Sequence, residues 1–255
     1  MLRAKLNSLI SLSILLTLGM PVASEASTTV FSTDFNSTLS SEIALGSALL
    51  ESVQSYAGLG PTGNQFGGAF LRSMTGNVVT LTLNGLPTHT SLNLDFLFAA
   101  IDSLDGTGTF PSGDYFLVTL DGTQIFRESF ANAMLSQIQS YVPPSGVELA
   151  RHIDLGFSGP GSFYTDSAYY LGADPIFQNI AHSGSSAVFT FTIEGVGIQS
   201  LTDESWAMDN LKISVNAVPV PATAWLLGSG LLWLIGMARR SSLVSMQDVG
   251  CKSCK

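Results

Sequence analysis

Cysteine is almost missing from this 255-residue chain: the two present, Cys251 and Cys254, both fall in the last five residues. Residues 27–217 have none, so no disulfide can brace that stretch even in an oxidising compartment. Its stability has to come from a buried core and from any bound ions. Basic residues are scarce as well. Arg72, Arg127, Arg151 and Lys212 face seventeen Asp and Glu within 27–217, a net charge of −13. Such a surface repels phosphate backbones and argues against a nucleic-acid partner, while it suits cations.

Catalytic patterns are missing too. His89, His152 and His182 are scattered without H-x-x-x-H spacing, and each reads as a loop or core histidine. No G-x-S-x-G elbow occurs within 27–217. Gly58-Leu-Gly-Pro-Thr-Gly63 matches G-x-G-x-x-G only formally, because Pro61 and the glycines that follow leave no phosphate-binding helix. Asp203 and Glu204, being adjacent, point to opposite faces of a strand, so no strand presents acids at i and i+2 as a jelly-roll glycosidase would. A pair assembled from separate strands stays open.

What the chain does have lies first at its ends. Arg3 and Lys5, an apolar stretch from Leu6 to Leu18, Pro21 and the small-x-small sequence Ser24-Glu25-Ala26 predict a signal peptide, 1–26, with an N-terminal signal helix. At the other end, Val218-Pro219-Val220-Pro221-Ala222 marks a boundary, since proline removes a backbone donor and clashes with the preceding turn. The 17 residues 222–238 are almost wholly apolar, short but sufficient for a transmembrane helix, and Arg239-Arg240 closes them on the cytoplasmic side. Residues 27–217 are therefore expected to be one extracytoplasmic domain, and 241–255 a cytoplasmic tail. Cys251 and Cys254 are spaced C-x-x-C, but a second pair for a zinc site is not there.

This tail, a Pro motif followed by an apolar helix with Leu227-Gly-Ser-Gly-Leu-Leu232 and an arginine pair, resembles the PEP-CTERM sorting signal over 218–240. Val220 stands where the family has its central Glu, and the chain continues past the basic pair. The resemblance implies an exported Gram-negative protein anchored in the inner membrane as a precursor. It implies a partner, a membrane exosortase that cuts near the Pro motif, and release to the cell surface or extracellular matrix, often alongside exopolysaccharide.

Within 27–217 the hydrophobic pattern has period two. Leu92, Leu94, Phe96 and Phe98 share one face, as do Phe116, Val118 and Leu120 before the Asp121-Gly122 turn, and Phe189, Phe191 and Ile193. Leu211, Ile213 and Val215 close the domain, and Val30–Phe35 and Val78–Leu83 are shorter candidates. Only Ser40–Tyr56 and Glu128–Tyr141 read as helical or mixed. The fold class is all-β: a single antiparallel β-sandwich, read as a jelly roll.

Two acidic groups are candidate metal sites. Asp34 in the first strand and Asp209 in the last should be neighbours, and Asp209 shares parity with Leu211 and Ile213, so it should face the core unless a bulge intervenes. This pair resembles the Ca²⁺ site of jelly-roll carbohydrate-binding modules, which implies Ca²⁺ as the ion. Asp102, Asp105 and Asp114 form a second set around a Gly-rich loop; Asp102-Ser-Leu-Asp-Gly106 resembles an Asp-Ser-Trp-Asp-Gly loop of exported β-sandwich proteins. The alternative for each is a turn or capping role. Phe163, Tyr164, Tyr169, Tyr170 and Phe177 either form a glycan-stacking platform or close one end of the core. The resulting expectation is a non-catalytic surface or matrix protein, calcium-stabilised and glycan-binding; the alternative is a secreted carbohydrate-active hydrolase.

Overall fold

A computed structural model describes residues 27–108, 113–157, 165–197 and 199–217. The signal peptide, the sorting signal with Val218 to Ala222, Arg239 and Arg240, the helix 222–238 and the cysteine-bearing tail lie outside the described residues, as do Phe163 and Tyr164.

The described chain is built of antiparallel strands in two sheets. The larger runs β3 (Leu49–Ser52), β4 (Ala69–Met74), β13 (Glu204–Ala217), β6 (His89–Asp102), β10 (Asp166–Tyr169), β9 (Glu148–Ile153), with β1 (Ser27–Thr33) also on β13 and β11 (Ile180–Ala181) also on β6. The smaller runs β2 (Ile43–Ala44), β5 (Val79–Asn84), β12 (Ser186–Glu194), β7 (Tyr115–Leu120), β8 (Thr123–Ser129). First and last strands are neighbours as expected: Phe31 lies opposite Ile213 and Thr33 opposite Leu211. Along this edge β13 changes partner, pairing with β4 over 205–208 and with β1 from Leu211 on.

The two sheets enclose an all-apolar layer. Leu92, Leu94, Phe96 and Phe98 of β6 meet Phe116 and Val118 of β7 and Phe189 and Phe191 of β12, all fully buried. The Phe96 and Phe191 ring centroids stand 6.0 Å apart, within the range of favourable aromatic pairs. The β7–β8 hairpin turns at Asp121 and Gly122, at φ +51° and +77°, the doubly positive pair that a type I′ turn requires and that Asp-Gly accommodates.

A second apolar layer, which the alternating pattern does not announce, covers the outer face of the larger sheet. Leu97, Ala99 and Ile101 of β6 and Ala207 of β13 pack there against Val53, Tyr56, Phe66, Phe70 and Leu155. Strand β6 is therefore buried on both faces, and 96–101 is apolar at every position, a composition in which period two vanishes.

The two stretches read as helical or mixed contain no α-helix. Ser40–Tyr56 contains β2, β3 and a single 3₁₀ turn, Gln54–Tyr56. Gly46 sits at φ +61°, which breaks any helical run there. Beyond the end of β8, residues 130–141 form a loop pinned by reciprocal bonds: the Ser129 N–H donates to Ser140 Oγ and the Ser140 N–H to Ser129 Oγ, both at 2.8 Å. Backbone donors satisfied by side chains are lost to a helix. β4, β9 and β10 were not expected; their short polar-interrupted sequences have no clear alternation.

Candidate metal centre

The carboxylates of Asp105, Asp114 and Glu204 converge, each offering an oxygen within 4.8 Å of the others. Three elements deliver them. β6 ends at Asp102, and Leu104 then plugs into the inter-sheet core, fully buried, which fixes Asp105 just beyond it. Asp114 precedes β7 and is latched to Asp105 both ways: its N–H donates to the Asp105 carbonyl at 2.9 Å, and the Asp105 N–H donates to Asp114 Oδ2 at 2.6 Å. Glu204 opens β13 and lies opposite Asp102 in the ladder. Gly195 comes so close that a Cβ there would lie 2.8 Å from Asp114 Oδ1.

The electrostatics are one-sided. Gln137 Nε2 donates to Asp105 Oδ1 at 2.7 Å and Gln199 Nε2 to Glu204 Oε1 at 2.6 Å. Among the described residues no salt bridge reaches any of the three acids. Glu204 is 1 % exposed, and its second oxygen, Oε2, is buried without a hydrogen-bond donor. Burial first, and the Asp114 carboxylate second, holds the Glu204 carboxyl well above the usual range. Burial also raises Asp114 and Asp105. Carboxyls in this state either share a proton or bind a cation. Two oxygens on opposite sides of a calcium ion, each bonded at roughly 2.4 Å, stand about 4.8 Å apart, so the spacing can hold a metal ion.

The sequence grouping is thereby corrected in part. Asp105 and Asp114 meet as expected, but Asp102 does not join them. Its parity with Phe98 and Ala100 points inward, yet it sits at φ +62° and its carboxylate turns to the other side of the sheet. There Oδ2 lies 3.8 Å from Arg72 Nη2, and the Arg72 guanidinium stacks 4.3 Å over the Phe157 ring. Its ladder partner Glu204 takes the third place, which adjacency to Asp203 in sequence did not suggest.

Asp34 lies near enough to Asp209 for its charge to add, after burial, to the upward shift of the Asp209 carboxyl. Between Asp209 and Lys212 the register slips, with Asn210 bulged at φ +51°. The bulge puts Asp209 on the outer face opposite Leu97, away from Leu211 and Ile213. Its oxygens accept from the Gly67 N–H at 3.1 Å and the Asn210 N–H at 2.7 Å. Asp34 is exposed and accepts from the Asn36 N–H at 3.1 Å. It lines an open cleft of about 510 Å³ with Ser32, Thr33, Asn64, Asn210 and Lys212.

Of the two readings of the aromatic cluster, the described rings Tyr169 and Phe177 follow the one that closes the core. Tyr169 packs on Phe130 at 4.9 Å and Phe177 on Phe126 at 5.1 Å, both rings fully buried. Tyr170 is half-buried, its hydroxyl donating to Asp95 Oδ2 at 3.3 Å. Asp166, which sequence reasoning did not single out, is buried under the amides of Asp102 and Leu155 at 3.0 and 2.6 Å. Nothing in its local sequence signals this.

No protein-family model matches the chain, and no curated protein matches it. Solved structures with partial likeness include a family GH115 4-O-methyl-alpha-glucuronidase with specificity for decorated arabinogalactans (12% identity, TM-score 0.32, 75% of this chain and 18% of that one). Others are the catalytic domain of a GH87 alpha-1,3-glucanase in complex with tetrasaccharides (16%, 0.30, 77% and 29%) and SGBP-B from a xyloglucan utilization locus in Bacteroides uniformis (13%, 0.25, 67% and 45%). The chain thus spans less than half the length of each, and likeness at these scores transfers no activity to it.

Proposed function

We propose that this chain is an exported, non-catalytic surface or matrix protein whose jelly-roll-type sandwich is stabilised by calcium at Asp105, Asp114 and Glu204. The observation that carries this reading is the convergence of three carboxylates where an ion fits and a polymer does not. Glu204 and Asp114 are 1 % and 5 % exposed. A glycosidase pair must flank a bond of a bound sugar, so this burial weighs against the hydrolase alternative. The donor set, oxygens and neutral amides with no sulfur or imidazole, suits calcium rather than a softer metal.

The ends of the chain supply the rest. Signal peptide 1–26 and the Val218–Ala222, 222–238 and Arg239-Arg240 succession support export, anchoring in the inner membrane and processing by an exosortase. The cleft beside Asp34, lined by hydroxyls and amides, supports contact with an exopolysaccharide.

Thermal unfolding of the full chain with calcium and with chelator tests the ion. A ligand at a hundredfold excess over its Kd adds about 2.7 kcal/mol, which in a domain of this size raises Tm by several degrees, roughly 2–4 °C per kcal/mol. The rise should disappear in Glu204→Gln; no rise in the unaltered chain would sink the calcium reading. Mass spectrometry of the exported product tests the sorting, with a terminus near Pro219–Ala222 expected and an intact 241–255 tail speaking against it.

A further inference from the structure

Two of the three histidines, 93 residues apart in sequence, meet edge to edge in nearly one plane, with ring centroids 5.0 Å apart and 17° between planes. His89 opens β6 in the larger sheet and is 2 % exposed. His182 follows β11 of the same sheet and leads, through Gly184, into β12 of the smaller one. Gly184 lets that connection close on the ring, since a Cβ there would stand 3.3 Å from His182 Nε2.

Their contacts form one chain. His89 Nδ1 lies 2.6 Å from the Pro87 carbonyl, and His89 Nε2 lies 2.7 Å from His182 Nδ1. His182 Nε2 lies 3.0 Å from the Ser186 carbonyl and 3.2 Å from Asp121 Oδ2. Asp121 is itself held, its Oδ1 accepting from the Val188 N–H at 2.9 Å and its own N–H donating to the Val188 carbonyl at 2.8 Å.

Counting protons along this chain decides its state. Carbonyls and carboxylates only accept. His89 Nδ1 and His182 Nε2 must therefore each carry hydrogen. The nitrogens between the rings must share one hydrogen, because two would collide and none would leave two lone pairs facing. Every contact is satisfied only when the two rings hold three protons, hence one positive charge beside Asp121. The segments packed around the pair, 84–91, 119–123, 181–188 and 215–217, contain no other charged side chain.

We propose that His89, His182 and Asp121 form a pH-sensitive clasp joining the two sheets. Histidine changes charge between pH 5 and 8. Loss of the third proton leaves His182 Nε2 or His89 Nδ1 as a lone pair against an oxygen, so the clasp weakens as the medium becomes alkaline. Gain of a fourth proton breaks the ring-to-ring bond.

Nitrogen NMR of the full chain labelled with ¹⁵N-histidine reads the proton count directly, with His152 as the third, separate signal. At pH 5.5 three of the four clasp nitrogens should be protonated, and at pH 8.5 two; two or four at pH 5.5 overturns the proposal. Asp121→Asn gives the second arm. Asn-Gly keeps the type I′ turn and an oxygen for Val188, but removes the charge. Tm of the unaltered chain should fall between pH 5.5 and 8.5 by about 2–4 °C more than that of Asp121→Asn; equal falls overturn the proposal.

Discussion

Asp209 and Asp166 show how a single carboxyl in this fold acquires a pH dependence. Both are fully buried, and each accepts two backbone N–H groups. Desolvation outweighs those bonds and pushes Asp209 up to about 7 and Asp166 up to about 6, from 3.8. Their folded values exceed their unfolded ones. The stability they contribute is therefore fully present below about pH 4 and is lost as pH rises towards 7. Tm measured from pH 4 to 7 should fall, and the fall should be shallower in Asp209→Asn, whose amide stays neutral throughout and keeps one acceptor. Glu204 follows the same sign when no cation is bound, since burial raises it too. In chelator, Glu204→Gln should therefore be at least as stable as the unaltered chain at pH 8. None of these environments is legible from the sequence. Asp209 sits in an alternating strand pattern like any inward residue, and only the bulge at Asn210 reverses it.

At the scale of the element, that bulge is the most consequential departure from regular structure. It falls where β13 exchanges β4 for β1, and Asn210 takes the left-handed conformation that asparagine tolerates better than most residues. Its side chain also donates to the Gln65 carbonyl at 2.9 Å. Asn210→Gly keeps the conformation and should cost little beyond that bond, whereas the β-branched Asn210→Val should destabilise by about 1–3 kcal/mol. Urea denaturation of the two variants checks the contrast, and equal costs would mean the bulge is not held at this residue. The Asp121-Gly122 hairpin belongs to the opposite category. Its turn chemistry is local, and it was readable before any tertiary contact was known.

The whole molecule depends on two apolar layers sharing one sheet. Trp206 lies fully buried in the inter-sheet layer against Phe116, with ring centroids 5.3 Å apart, and Phe70 lies in the outer layer against Tyr56 at 5.8 Å. Emptying either site removes a large buried ring, so Trp206→Ala and Phe70→Ala should each cost about 3–5 kcal/mol. If the outer layer were only a loose covering, Phe70→Ala would be nearly silent in thermal or urea unfolding while Trp206→Ala would not. The acidic triad belongs to this scale as well, because Asp105, Asp114 and Glu204 bring the β6–β7 connection to the start of the last strand, and an ion there would brace parts of the chain about a hundred residues apart.

Composition and period two were enough to establish an all-β fold of antiparallel strands for the described residues, the positions of β6, β7, β12 and β13, and an acidic, disulfide-free 27–217 segment. Those properties follow from each residue and its near neighbours. The outer apolar layer, the reversal of Asp102 and Asp209, the entry of Glu204 beside Asp105 and Asp114, and the meeting of His89 with His182 were decided only by tertiary structure. Each depends on a bulge, a left-handed residue or a strand pairing between distant segments. One such backbone feature sends a side chain to the opposite face of a sheet, and no local pattern contains that information.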